Sequence, residues 1–397
     1  MTTAPSLPSP SGAQDAQAIH LALRAHLHQR IAAHGGWIGF DDFMAQALYA
    51  PGLGYYANGS AKFGQMPQGL RQAQSEETGG TATDVQGAGS DFVTAPEMTP
   101  LFGQALAQQV AQALQATGCD EIWEFGAGTG ALAKQLLATL ATLKVTVRRY
   151  NIVDLSDSLK ARQQEALQSY GSVVHWVSSL PEQFEGVVVG NEVLDAMPVN
   201  LLVRKGGVWM QRGVVSHGEG FDWQDRATDL RPWVEVEGEH DYLTEVHPQA
   251  EAFVRTLGDR MVRGAVFFLD YGFPEAEYYH PQRHMGTVMC HQAHRSDADP
   301  LQDVGLKDIT AHVNFTGIAV AAQDAGFELL GYTNQAHFLM NCGLVAAMQD
   351  APLPERVAAQ KLIMEHEMGE LFKVIGFCKG AAWPARGFSH GDKTHRL

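Results

Sequence analysis

One stretch, Ile122-Trp-Glu-Phe-Gly-Ala-Gly-Thr-Gly-Ala-Leu132, limits what this chain can fold into more than any other. It opens with an apolar run around a single carboxylate, which reads as a buried strand, and Leu132, Leu136 and Leu140 then recur at helical spacing. Between the two lie Gly126, Gly128 and Gly130. A turn this rich in glycine takes left-handed conformations freely and lets the backbone approach a ligand. A strand that ends in such a turn and passes into a helix is the unit of an open α/β sheet, whose ligands sit at the carboxyl ends of the strands.

The sequence around it repeats the same alternation. Strand-like segments are expected at about 121–125, 146–153, 173–177, 186–190, 265–270, 327–332 and 372–378, with helices at about 100–117, 129–141, 157–170, 248–259, 315–325 and 354–370. Seven strands alternating with helices predict an α/β fold, a doubly wound sheet with helices on both faces. Short apolar runs on either side of Gly206-Gly207 predict a β-hairpin insertion at about 199–240. Residues 1–17, rich in Ser, Pro, Ala and Thr and without an aromatic residue, read as a disordered tail. Residues 18–64 read as an N-terminal helical cap, and the Gln- and Gly-rich stretch 65–90 as a low-complexity loop or lid. The remainder, 91–397, reads as the main domain.

Charge excludes some partners. With 44 acidic against 28 basic residues the chain carries a formal charge of −16. No Lys/Arg run offsets that, so no nucleic-acid partner is expected. The longest apolar runs, such as Ala265-Val-Phe-Phe-Leu269, fall far short of the roughly 20 residues of a membrane helix, so no membrane span is expected. The first residues lack both an apolar signal core and the arginines of a transit peptide, and the chain reads as cytoplasmic. The four cysteines are widely spaced and read as buried thiols. His280, His284, Cys290, His291 and His294 are dense but fit no tetrahedral spacing, so no metal site is expected.

The glycine turn alone fits two ligand classes. Gly126-x-Gly128-x-x-Ala131 matches a dinucleotide fingerprint, while Glu124-x-Gly126-x-Gly128-x-Gly130 matches the pattern that binds S-adenosylmethionine. Glu124 favours the second, because a carboxylate there suits the methionine ammonium and repels a pyrophosphate. Asp154, at the expected tip of the second strand, offers two acceptor oxygens to a ribose; capping of the next helix is its competing role.

Longer strings make the reading specific. Tyr49-Ala-Pro-Gly-Leu-Gly-Tyr-Tyr56, Gly89-Ser-Asp-Phe-Val-Thr-Ala-Pro-Glu97, Gly190-Asn-Glu-Val-Leu-Asp-Ala-Met-Pro-Val199, Asp270-Tyr-Gly272 and Asp308-Ile-Thr-Ala-His-Val-Asn-Phe-Thr316 occur in order. Together they closely resemble the MidA-like family of S-adenosylmethionine-dependent methyltransferases, which includes a mitochondrial arginine methyltransferase needed for assembling respiratory complex I. The chain departs from that pattern at Asn191, where mitochondrial members have His, and at His312 and Asn314, where acidic residues are common.

The resemblance implies a class I methyltransferase, Rossmann-like fold with S-adenosylmethionine as cofactor. It implies that Gly126, Gly128 and Gly130 hold the methionine end, that Asp154 holds the ribose, and that Asp91, Thr94, Pro96 and Glu97 fold over the site. Asn191 and Glu192 would stand beside the transferring methyl, and Glu192 with Asp195 would hold a guanidinium through charge-assisted bonds. His312 and Asn314 would line the acceptor pocket, or cap the following helix. Three readings remain open: a protein arginine methyltransferase with a protein substrate, an assembly factor that binds a respiratory subunit with catalysis weak or lost, and a small-molecule methyltransferase.

Overall fold

A computed structural model of the chain describes residues 10–57, 94–154, 157–292 and 295–397. Seven strands form the central sheet: β1 (Glu121–Phe125), β2 (Arg149–Val153), β3 (Val174–Val177), β4 (Phe184–Asn191), β5 (Met261–Phe273), β6 (Glu328–Asn334) and β7 (Phe372–Lys379). Their order across the sheet is β3-β2-β1-β4-β5-β7-β6, and a two-residue strand, Val313–Asn314, joins the end of β5. The strands from β3 to β5 are parallel, while β7 runs antiparallel between β5 and β6. The chain winds from β1 out to one edge and returns to β4 on the other side of β1, so a crevice opens between the carboxyl ends of β1 and β4.

Side-chain alternation explains why both faces are covered. Val187, Val189, Phe267 and Leu269 face one layer of helices, which includes Pro100–Thr117, Ala131–Thr142 and Leu353–Ile363. Their neighbours Val188, Val266 and Phe268 face the opposite layer, where Pro248–Arg260 and Phe315–Asp324 lie. The expected hydrophobic runs are therefore strands buried on both sides.

The expected helix over 354–370 breaks. Its α-helical part is Leu353–Ile363, followed by a π turn over Glu365–Gly369. Glu365, His366 and Glu367 are exposed and provide nothing to hold a helix against the sheet, and Glu370 instead pairs with Asn334 and Lys393.

The expected hairpin is part of a larger sheet. Asn200–Lys205 and Val208–His217 pair across Gly206-Gly207, and Tyr242–Val246, Gly220–Ala227 and the short strand Ile38–Gly39 complete five strands. A second, three-stranded sheet joins Arg295–Asp297, Met289–Gln292 and Asp308–Thr310. Both enclose one core with the N-terminal helices: Leu27, Ile31, Phe40 and Phe43 pack with Leu201, Val214 and Ile309. A lobe thus forms from three stretches that are remote in sequence. The first helix runs Pro10–Ala33, so residues 10–17, expected in the tail, are helical; alanines and glutamines there supply helix propensity in place of an apolar stripe. Residues 1–9 and the expected loop at 65–90 lie outside the described residues.

Candidate functional site

A cavity of about 610 Å³ occupies the crevice at the tips of β1 and β4. The turn after β1 forms its floor, with positive φ at Gly126 (62°) and Gly128 (53°), a region closed to most side chains. A Cβ at Gly128 would meet no atom of the described residues within 4 Å, so this backbone faces the cavity. Gly130 has a different place. It caps the helix Ala131–Thr142, its hypothetical Cβ would touch Gln163 and Leu167, and it is not part of the cavity wall.

Three segments fix the wall around the turn. Gln163 donates from Nε2 to Asp154 Oδ2 (2.8 Å) and to the Gly128 carbonyl (2.9 Å), while its Oε1 accepts from Trp176 (2.9 Å). The tips of β2 and β3 are thereby tied to the glycine turn. The Thr94–Glu97 segment is held from the other side, because Thr129 donates to Glu97 Oε1 (3.0 Å) and Gln135 donates to the Pro96 carbonyl (2.6 Å). Among the described residues Glu97 Oε2 is buried without a hydrogen-bond partner. Asp91 lies outside the described residues.

The loop after β4 carries the other half of the site. Asp270, at the end of β5, accepts the backbone N–H groups of Val193 (3.1 Å), Leu194 (2.9 Å) and Asp195 (3.3 Å) on one oxygen. That anchor holds Glu192 at φ 54°, a conformation costly for a residue with a side chain and found preferentially at functional sites. Glu192 accepts from the Asn191 amide (2.9 Å), and among the described residues Asn191 Oδ1 and Asp195 Oδ1 are buried without a well-formed hydrogen bond. Burial, aided by Asp195, pushes the Glu192 carboxyl up to about 8. Asp195 is also raised by burial; the nearby Tyr271 hydroxyl pulls it back although the two make no well-formed bond.

Among the acids that line the cavity Glu124 is the least exposed, at 2%, and its Oε2 accepts from Tyr150 (2.7 Å). Burial raises its carboxyl to about 8. The folded protein holds this proton more tightly than the unfolded chain, so Glu124 lowers stability increasingly as pH climbs from about 4.5 through 8. Glu124→Gln should therefore raise the Tm of the ligand-free protein far more at pH 8.5 than at pH 4.5, the difference corresponding to on the order of 3–5 kcal/mol. Calorimetry at both pH values checks this, and a pH-independent gain would refute it.

Ten of the expected residues meet at the cavity: Thr94, Pro96, Glu97, Glu124, Gly126, Gly128, Asp154, Asn191, Glu192 and Asp195. His312 and Asn314 do not. Asn314 caps the helix Phe315–Asp324 by accepting from Gly317 N, and the His312 ring sits edge-on to Tyr271 and Phe273, its pKa pushed down to about 4 by burial and by Arg283 and Lys373. The same string instead sends Asp308 and Thr310 to the cavity, because the chain leaves the strand Asp308–Thr310 where Ala311 N bonds to the Asp195 carbonyl. Tyr49, Tyr56 and Tyr271 also line the cavity and were not singled out as site residues from the sequence, although all three lie within the quoted strings. Among the described residues the wall carries six acids (Glu97, Glu124, Asp154, Glu192, Asp195, Asp308) and no Lys, Arg or His. Among them, too, no group of His, Cys, Asp and Glu is placed to hold a metal ion, and no helix is long and apolar enough to cross a membrane.

Comparison with known proteins places this geometry. A family model of S-adenosyl-L-methionine-dependent methyltransferases matches residues 105–333. A crystal structure from Burkholderia thailandensis, of a methyltransferase-type protein bound to S-adenosyl-homocysteine, superposes with a TM-score of 0.88 at 46% identity, covering 99% of this chain and 100% of that one. The protein arginine methyltransferase NDUFAF7 of Danio rerio is 26% identical over 83% of this chain and 79% of its own length, and the Caenorhabditis elegans homologue is 25% identical over 85% and 82%. These curated relatives, and the Homo sapiens protein at 24% identity, are named as mitochondrial. The cytoplasmic placement expected from the N-terminal residues is corrected by that finding.

Proposed function

This chain belongs to the S-adenosyl-L-methionine-dependent methyltransferases, and from that membership we propose that it is a protein arginine N-methyltransferase. The observation that carries the proposal is that six acids and, among the described residues, no basic residue line the cavity, an electrostatic environment that favours cations. The cofactor fits this wall. Gly128 leaves an open cradle, and the unpartnered Glu97 Oε2 and the buried Glu124 carboxyl offer acceptors where the methionine ammonium would lie. When bound, S-adenosylmethionine supplies a methyl group on a sulfonium. In this reading Gly126 and Gly128 present backbone, Asp154 accepts from the ribose hydroxyls, and Thr94, Pro96 and Glu97 cover the site.

The acceptor side follows from the loop after β4. Glu192 and Asn191 orient the attacking nitrogen, with Asp195 behind them, and Glu192 receives the proton that nitrogen loses when its bond to carbon forms. A carboxyl raised to about 8 is suited to take a proton near neutral pH and pass it to solvent. Orientation of the acceptor against the methyl group within the cavity provides the remaining acceleration. The relatives named protein arginine methyltransferases support arginine as the acceptor.

The test is transfer of label from methyl-tritiated S-adenosylmethionine to a short peptide containing arginine, with the site read by mass spectrometry. Label on the guanidino nitrogen is the expected result. Transfer to lysine alone, or to no peptide while small-molecule extracts are labelled, would overturn the arginine reading.

A further inference from the structure

Resting on the reading of a cationic acceptor, we propose that Tyr271 and Thr310 are positioning residues for that acceptor: on its arrival their hydroxyls close in sequence, Thr310 on Tyr271 and Tyr271 on the Asp195 carboxylate, and hold Asp195 against the cation.

Three separate segments bring these side chains together. Asp195 lies in the loop after β4, Tyr271 near the end of β5, and Thr310 at the end of the strand Asp308–Thr310. Backbone bonds fix both junctions. Asp195 N donates to Oδ2 of Asp270, the residue before Tyr271 (3.3 Å), and the Asp195 carbonyl accepts from N of Ala311, the residue after Thr310 (2.9 Å). The Tyr271 ring meets His312 and Phe372 edge-on, with centroids 5.2 and 5.3 Å away, and this packing restrains where its hydroxyl can turn. All three residues line the cavity.

Their polar atoms are unusual. Asp195, Tyr271 and Thr310 are 4%, 8% and 3% exposed, so bulk water does not serve them, and among the described residues Asp195 Oδ1, the Tyr271 hydroxyl and Thr310 Oγ1 each lack a well-formed hydrogen bond. Buried polar groups are nearly always bonded, because leaving one unbonded costs its full desolvation. Here two hydroxyl donors and a carboxylate acceptor stand together and remain slack. Among the described residues, five of the ten buried side-chain atoms in this condition belong to residues that line this one cavity, Glu97 Oε2 and Asn191 Oδ1 being the other two. Such a concentration marks a binding site rather than a network that stabilises the fold.

Electrostatics gives the direction of the relay. Burial raises the Asp195 carboxyl, and the Tyr271 hydroxyl opposes that shift. Burial also raises the Tyr271 phenol, helped by Asp195 and Asp270, and the Thr310 hydroxyl opposes it. The donors therefore run from Thr310 to Tyr271 to Asp195. Hydrogen bonds to an ionised acceptor are shorter and stronger than neutral ones, and those of an empty site commonly tighten only in the complex. A cation against Asp195 favours its ionised form and so draws the two hydroxyls in.

Two consequences separate this from a structural role. Removing either hydroxyl takes away no formed bond, so the ligand-free protein should lose no stability. Because both act through Asp195, their effects should also vanish once that carboxylate is gone.

The experiment titrates the full chain, loaded with S-adenosyl-homocysteine, with an arginine peptide and, separately, with methylguanidinium. Asp195→Asn should weaken arginine-peptide binding by about tenfold or more, Tyr271→Phe by about fivefold and Thr310→Val by about threefold, with Thr310→Ser close to the parent. In the Asp195→Asn background, Tyr271→Phe and Thr310→Val should each change binding by less than about twofold. Affinity for S-adenosyl-homocysteine should be unaffected throughout, and the Tm of the ligand-free Tyr271→Phe and Thr310→Val proteins should not fall. In steady-state transfer Tyr271→Phe should raise KM for the peptide more than it lowers kcat. The same pattern of losses with methylguanidinium, in a parent that ignores the arginine peptide, would keep the hydroxyl relay and remove the protein-arginine reading. Binding indifferent to Tyr271→Phe and Thr310→Val, an undiminished loss from either in the Asp195→Asn background, a Tm lowered by several degrees, or capture of neither ligand by the parent would overturn the relay.

Discussion

Gly128→Val should reduce affinity for S-adenosylmethionine at least about a hundredfold, equivalent to roughly 2.7 kcal/mol, as read by isothermal titration. Two effects act together. The new side chain projects into space that no atom of the described residues occupies, the floor of the cavity, so it displaces ligand rather than clashing with them. A β-branched residue at φ 53° is also strained, and relief of that strain would move the turn away from its present path. Gly128→Ala separates the two, because alanine brings the backbone strain with far less bulk; its loss should be smaller. Thermal unfolding supplies the control: the Tm of Gly128→Val should fall by several degrees at most, since the substitution leaves the strand and helix cores intact. Parent-level affinity in the valine variant would place the cofactor elsewhere.

The second large effect is expected at Glu192. Glu192→Gln preserves shape and the contact with Asn191 but removes the negative charge and the proton acceptor. Cofactor affinity should remain near that of the parent, because the glycine turn and Asp154 belong to β1 and β2 and Glu192 to the end of β4. Methyl transfer should fall by about 10²-fold or more, the usual consequence of losing a positioned electrostatic group. The pH profile carries the signature. Ionisation of Glu192 in the empty site centres near 8, so kcat/KM of the parent should rise as pH increases through that region and the Gln variant should lack that limb. Transfer at the parent rate would remove the residue-level basis for an arginine acceptor and favour a binding role or a small-molecule acceptor.

Much of this site was legible in the sequence because its cofactor side is local. β1, the glycine turn and the helix that follows are contiguous, and the hydrophobic alternation that defines them survives folding unchanged; β1 was expected at 121–125 and is observed over Glu121–Phe125. Pairing order is another matter. Nothing in the run 372–378 distinguishes a parallel strand from β7, which lies antiparallel between β5 and β6, since periodicity records burial and not direction. The remainder of the cavity lining was only half legible for the same reason. Asn191, Glu192 and Asp195 follow a strand directly, but Tyr56 and Asp308 are brought together across the outer lobe, and no local pattern joins them. The misplacement of His312 and Asn314 also has a local cause: they share a string with Asp308 and Thr310, but the chain turns after Thr310 and directs Asn314 to a helix cap.

The outer lobe also sets an order of events on the ribosome. His28, on the first helix, bonds to Ser216 in the sheet it packs on, and 188 positions separate them. At 5–20 residues per second, the N-terminal helices are synthesised roughly 10–40 s before their partner strands exist. Throughout that interval Leu23, Leu27, Ile31, Phe40 and Phe43, all buried in the finished lobe, have nothing to cover them. The lobe that bears Tyr56 is completed only when the strand carrying Asp308 has been synthesised.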